Sequence, residues 1–120
     1  MKGDILMGSK RDRDAAFHSI VHLEGNLDDD FIGTVLTHSG EYTDNVLMDR
    51  KHFKKCDIEG KEYSFFFDNT YLVSRRFSKL KDWGPFKKIG ELTKEGVNFV
   101  ESKMVGKDPI LWSEYELFGR

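Results

Sequence analysis

The chain has 120 residues, 38% hydrophobic and 33% charged, with ten Phe, four Tyr, two Trp and one Cys. Surface scaling for 14.0 kDa gives ~20,000 Å² unfolded and ~6,700 Å² folded, enough to build one ordinary core without disulfides or metals. The aromatic content excludes a disordered chain, no apolar run approaches the roughly 20 residues of a membrane helix, and a lone cysteine excludes an internal disulfide.

The formal charge of −2 conceals a segregation. Residues 1–49 carry four Lys/Arg against ten Asp/Glu, residues 50–94 twelve against six, and residues 95–120 three against five. An acidic front and a basic middle speak to partners rather than to fold. Only Ile5, Leu6 and Met7 are consecutive apolar residues near the start, too few for a secretory signal. A cytoplasmic location without membrane attachment is the expectation, and the single thiol agrees with it. Without repeats or a Pro/Ser-rich linker, residues 1–120 read as one domain, with 1–8 expected to be loosely ordered.

In chain order, residues 16–24 read as a strand because of the branched pair Ile20-Val21, although a helix over 10–24 capped by Ser9 fits the same letters. Asn26–Asp30 reads as a polar turn, and Phe31–Thr37 as a strand closed by His38-Ser39-Gly40. Asn45–Met48 is a short apolar run. Lys54–Ile58 and Glu62–Phe67 flank Glu59-Gly60-Lys61 as a hairpin, and Tyr71–Phe77 is a further strand. Thr93 is an N-cap for a helix carrying Val97, Val100 and Met104 and ending at Gly106. Asp108-Pro109 signals a second helix with Leu111, Tyr115 and Phe118 on one face. The expected fold class is α+β: an antiparallel sheet of about five short strands with one or two C-terminal helices packed on it.

Among candidate chemistries, the basic stretch Arg75–Lys88 stands out, with six cations and three aromatic rings in fourteen residues. Phosphates need cations and unstacked bases need flat π faces, a pairing that suits single-stranded nucleic acid or a nucleotide. Arg75, Arg76, Lys79, Lys87 and Lys88 are the expected phosphate contacts, and Trp83 and Phe86 the expected stacking platforms. The plainer alternative puts Phe77, Leu80, Trp83 and Phe86 in the core under a solvated charged face. Lys51–Lys55 would extend the patch if it lay alongside.

The remaining motifs are weaker. His18 and His22 share a face in either a strand or a helix and, with His38, Glu24 or Asp28–Asp30, would offer zinc-type ligands. No HExxH or paired-cysteine motif accompanies them, so solvent-facing histidines are expected. Asp28–Asp30 lacks the alternating ligands of a calcium loop. Thr37-His38-Ser39-Gly40-Glu41 gathers a histidine, a hydroxyl and an acid, but neighbours on a strand point to opposite faces. Cys56 is expected to be a buried, inert thiol, its Lys54-Lys55 neighbours being offset by Asp57. No P-loop, GxGxxG or GxSxG occurs. Ile89-Gly90-Glu91-Leu92-Thr93-Lys94-Glu95-Gly96-Val97 resembles the junction after the wing of winged-helix DNA-binding domains, where Leu92-Thr93-Lys94-Glu95-Gly96 would open the last helix. It covers some nine residues without an upstream helix–turn–helix, and a Thr N-cap produces the same letters.

The functional expectation is therefore a non-enzymatic domain binding nucleic acid or a nucleotide, with no metal and no cofactor. The alternative is a protein–protein adaptor or inhibitor, self-associating through its opposite charges and anchored by Leu111, Trp112 and Tyr115. A metal-dependent enzyme using His18 and His22 ranks third.

Overall fold

The computed structural model describes residues 1–8, 18–41, 45–78 and 80–119, with the backbone alone at 81–82 and 118–119. Among the described residues, six short strands form one open sheet: β1 (Asp4–Gly8), β2 (His18–Glu24), β3 (Ile32–Thr37), β4 (Asn45–Leu47), β5 (Tyr71–Val73) and β6 (Lys87–Glu91). Their order is β4-β5-β3-β2-β1-β6, and every neighbouring pair is antiparallel. A small α+β fold results, close to the expected antiparallel sheet of about five strands.

Both faces of this sheet are covered, which explains why its strands do not alternate cleanly between apolar and polar. In β2, Ile20 enters one core while Val21 and Leu23 enter the other. One core joins Ile5, Val21, Leu36 and Leu72 to Phe53, Phe65, Val100 and Met104. The opposite core joins Ile20, Val35 and Val73 to Phe31, Phe77, Leu80, Trp83 and Tyr115.

The first eight residues correct the expectation of loose order. Asp4–Gly8 pairs with β2 on one side and β6 on the other, and Ile5 and Leu6 are buried. Two hydrogen-bonded ladders hold this segment, so position near a terminus does not decide its order. β6 is a strand the sequence hides: in Lys87-Lys88-Ile89-Gly90-Glu91 only Ile89 is a large apolar residue, and Phe65 packs close over Gly90.

The outer edge of β6 is not left bare. Phe65 N donates to Ile89 O and Lys54 N to Glu91 O, both at 2.9 Å, so residues 53–65 cover a boundary that would otherwise invite pairing with another chain. The Lys54–Phe67 hairpin exists as a turn, with Asp57 N donating to Lys61 O and a bridge between Cys56 and Glu62, but its arms add no strand to the sheet. Cys56 is half-buried rather than buried.

Helix α1 (Lys94–Met104) begins where its cap predicts: Thr93 Oγ1 accepts from Gly96 N at 3.1 Å and donates to Lys51 O at 2.6 Å. The cap seats α1 on the short helical turn Arg50–His52, where His52 stacks on Phe99 with ring centroids 4.4 Å apart. The His52 Nδ1 accepts from Asp49 N at 2.9 Å, so it carries no proton, and burial lowers the imidazole pKa.

The second helix starts later than Asp108-Pro109 suggests. Ile110 N donates to Arg76 O and Ser78 N to Ile110 O, both at 2.9 Å, which holds residues near 110 extended beside Phe77. Helix α2 (Trp112–Glu114) follows and continues as a wider turn over Tyr115–Gly119. Among the described residues, no helix is long and apolar enough to cross a membrane.

Candidate functional site

The basic–aromatic stretch does not form one surface. Trp83 is 4% exposed, in contact with His18 and Trp112 inside the second core, and has no open face for a base. Phe86 is half-buried and edge-on to Phe31 at 5.4 Å. Trp83 thus lies within the second core and Phe86 packs against it, so these rings among the cations serve packing. Arg75 is half-buried, Arg76 reaches Glu24 at 2.9 Å, and Lys79 lies outside the described residues. Lys87 and Lys88 stand on β6, whereas Phe77 bridges to the far side of β3. Four strand spacings, about 19 Å, separate the two ends of the proposed patch.

The charge segregation is also spent partly within the chain. Lys88 Nζ lies 3.1 Å from Asp4 Oδ1 and 3.1 Å from Glu91 Oε1, and Arg76 meets Glu24, so acidic front and basic middle pair intramolecularly. The adaptor anchor is similarly occupied: Tyr115 is 1% exposed, and Leu111 and Trp112 are half-buried.

The two β2 histidines are not solvent-facing. His22 is buried with Nε2 2.6 Å from Gly25 O, so Nε2 donates, and His18 lies between the Trp83 and Trp112 rings at 5.3 and 5.2 Å. Among the described residues no three His, Cys, Asp or Glu groups gather as a metal set.

Beside β6, Lys61, Tyr63, Ser64, Lys87 and Lys88 line a cleft of about 390 Å³, together with Asp57 and Glu62. Glu91 organises its wall, accepting from Lys54, from Lys88 at 3.1 Å and from Tyr63 Oη at 3.0 Å. The Lys54 bond, reinforced by those from Lys88 and Tyr63 against the opposing effect of burial, pulls the Glu91 pKa from 4.5 to about 2. Burial disfavours the Lys88 cation, but its bonds to Asp4 and Glu91 outweigh this and raise its pKa. A carboxylate whose folded pKa is depressed stabilises fully above its unfolded value and loses that contribution as pH falls through the folded one. Stability is expected to decline as pH drops from about 4.5 toward 2, and Glu91→Gln to flatten that part of the profile. Urea unfolding at stepped pH reads this directly; an unaltered slope in Glu91→Gln would place the acid sensitivity elsewhere.

At the end of the sheet where β2 begins and β3 ends, a second cavity of about 260 Å³ gathers several chemistry-bearing side chains. His18, Ser19, Thr37, His38, Ser39 and Asn45 contribute polar groups; Val35, Val73, Trp112 and Tyr115 contribute apolar and aromatic wall. The local sequence explains the convergence. Thr37 closes β3, and its Oγ1 accepts from Ser39 N at 3.2 Å, turning the chain so that successive polar residues stay at one strand end. Asn45 Nδ2 donates to Ser39 O at 2.8 Å, which ties β4 to that turn and leaves Asn45 Oδ1 without a hydrogen-bond partner among the described residues. Hydroxyls, imidazoles and an amide beside indole and phenol rings can hydrogen-bond the edge of a heterocycle and contact its face.

The sequence singles out His18, His38 and Ser39 for metal or nucleophile chemistry, and the structure unites them in this cavity instead. Asn45 and Trp112 are missed as lining, because 27 residues separate His18 from Asn45 and only strand order brings them together. The sequence matches no protein-family model, and no curated protein matches it.

Proposed function

We propose that this chain is a nucleotide-binding domain and that one nucleotide unit of the ligand occupies the His18–His38 cavity. The observation that carries the reading is the convergence of two imidazoles, three hydroxyls and the Asn45 amide with the Trp112 and Tyr115 rings around about 260 Å³. That volume lies near the lower end of ligand pockets, the scale of a base with its sugar rather than a large cofactor. The unpartnered Asn45 Oδ1 supplies an acceptor for an exocyclic amine or ring N–H. His38 is exposed where it lines the cavity and is therefore available to a phosphate or a base edge.

Calorimetric titration with the four 5′-ribonucleoside monophosphates tests the reading. Saturable one-to-one binding of at least one is expected, weakened about tenfold by His38→Ala, the loss of one moderate stacking or charge-assisted contact. The exposed position makes the same substitution nearly silent in thermal unfolding. Absence of saturable binding to all four nucleotides, or binding indifferent to His38→Ala, overturns this site.

A further inference from the structure

We infer that the ligand is a single-stranded nucleic acid, which leaves the cavity across Phe66 and continues into the Lys61–Lys87 cleft; this extends the cavity reading and rests on it. The link is His38. It lines the cavity, and its ring centroid lies 5.9 Å from that of Phe66. Phe66 is 67% exposed although its neighbour Phe65 is buried, so a large flat ring is presented to solvent beside the cavity. Two residues earlier on the same segment, Ser64 lines the cleft with Lys61, Tyr63 and Lys87.

The cations of that cleft divide into two kinds. Lys88 is held by Asp4 and Glu91. Lys61 and Lys87 are exposed and have no ion pair or side-chain hydrogen bond among the described residues. Two acids share the cleft: Asp57, whose Oδ1 accepts from the backbone N–H groups of Glu59 and Lys61 at 2.9 Å each, and the exposed Glu62. A base pocket, an exposed aromatic ring and then two uncommitted ammonium groups form the sequence of contacts that a flexible strand uses and a rigid duplex does not reach. A lone mononucleotide fills only the first of them.

Fluorescence polarisation with short labelled single strands of DNA and of RNA, with a matching duplex and with unlabelled mononucleotides as competitors, tests this on the full chain. Single strands are expected to bind more tightly than any mononucleotide. Phe66→Ala is expected to weaken strand binding about tenfold while leaving mononucleotide binding unchanged. The double variant Lys61→Ala, Lys87→Ala is expected to reduce the slope of log K against log salt by about 1.4, at about 0.7 per phosphate contact; Glu62→Gln acts in the opposite direction on affinity. Strands that bind no better than mononucleotides, variants that leave strand affinity and salt slope unchanged, or a duplex that binds equally well each overturn the strand path while the cavity reading stands. Failure of every nucleotide, free or polymeric, overturns both.

Discussion

Replacing Gly96 with alanine is expected to destabilise the fold by about 3 kcal/mol, against the usual benefit of removing a glycine from a helix. A β-carbon at this position would lie 2.1 Å from the carbonyl oxygen of His52. The obstacle is backbone, so no rotamer change relieves it, and α1 would have to lift from the Arg50–His52 turn. That movement endangers the bonds from Thr93 N to His52 O at 2.9 Å and from Thr93 Oγ1 to Lys51 O at 2.6 Å, and with them the seating of Val100 and Met104. At about 4 °C per kcal/mol for a domain of this size, the melting temperature falls by roughly 12 °C. Asn98→Ala, at an exposed position of the same helix, is the matched control and should be neutral or slightly stabilising. A Gly96→Ala variant melting at or above the parent temperature would show that α1 does not sit this closely on the turn.

Trp83→Ala is expected to cost about 3–5 kcal/mol, as does truncation of other large buried aromatics. The residue is 4% exposed, and its ring meets His18 at 5.3 Å and Trp112 edge-on at 5.6 Å. Its removal would leave a void in the core that also holds Phe77, Leu80 and Tyr115. The variant separates two roles for the same residue. A stacking platform would lose ligand affinity with little change in stability, whereas a core residue loses stability first. Urea denaturation of Trp83→Ala beside Phe66→Ala makes the contrast explicit: the buried ring should shift the midpoint strongly, and the 67% exposed ring should scarcely move it. Equal midpoints for Trp83→Ala and the parent protein would return Trp83 to the surface.

The charge pattern illustrates how composition and structure divide the explanation. Acidic front and basic middle are visible by counting, but whether they face a partner depends on geometry. Asp4 lies beside Lys88 because β1 and β6 are neighbours, and Glu24 beside Arg76 because the chain after β5 returns along β3. Among the described residues no carboxylate pairs with Lys61 or Lys87, a difference that sequence spacing does not encode.

Elements whose causes are local are legible in the amino-acid letters. The cap at Thr93 with apolar residues at helical spacing defines α1, and Phe31–Thr37 contains β3 with its polar stop at His38–Gly40. The antiparallel α+β character follows from several short apolar runs separated by turns. The ordering of β1, the strand nature of Lys87–Glu91 and the delayed start of the last helix arise from long-range pairing instead. Each depends on hydrogen bonds to segments remote in the chain: β2 and β6 for the first, β1 for the second, Arg76 and Ser78 for the third. The candidate site belongs to this second group. The fourteen-residue stretch read from the sequence splits because Phe77, Leu80 and Trp83, at every third position, are drawn into a core that covers the sheet, while the cavity assembles from His18, Thr37–Ser39, Asn45 and Trp112, brought together by a strand order that no local pattern contains.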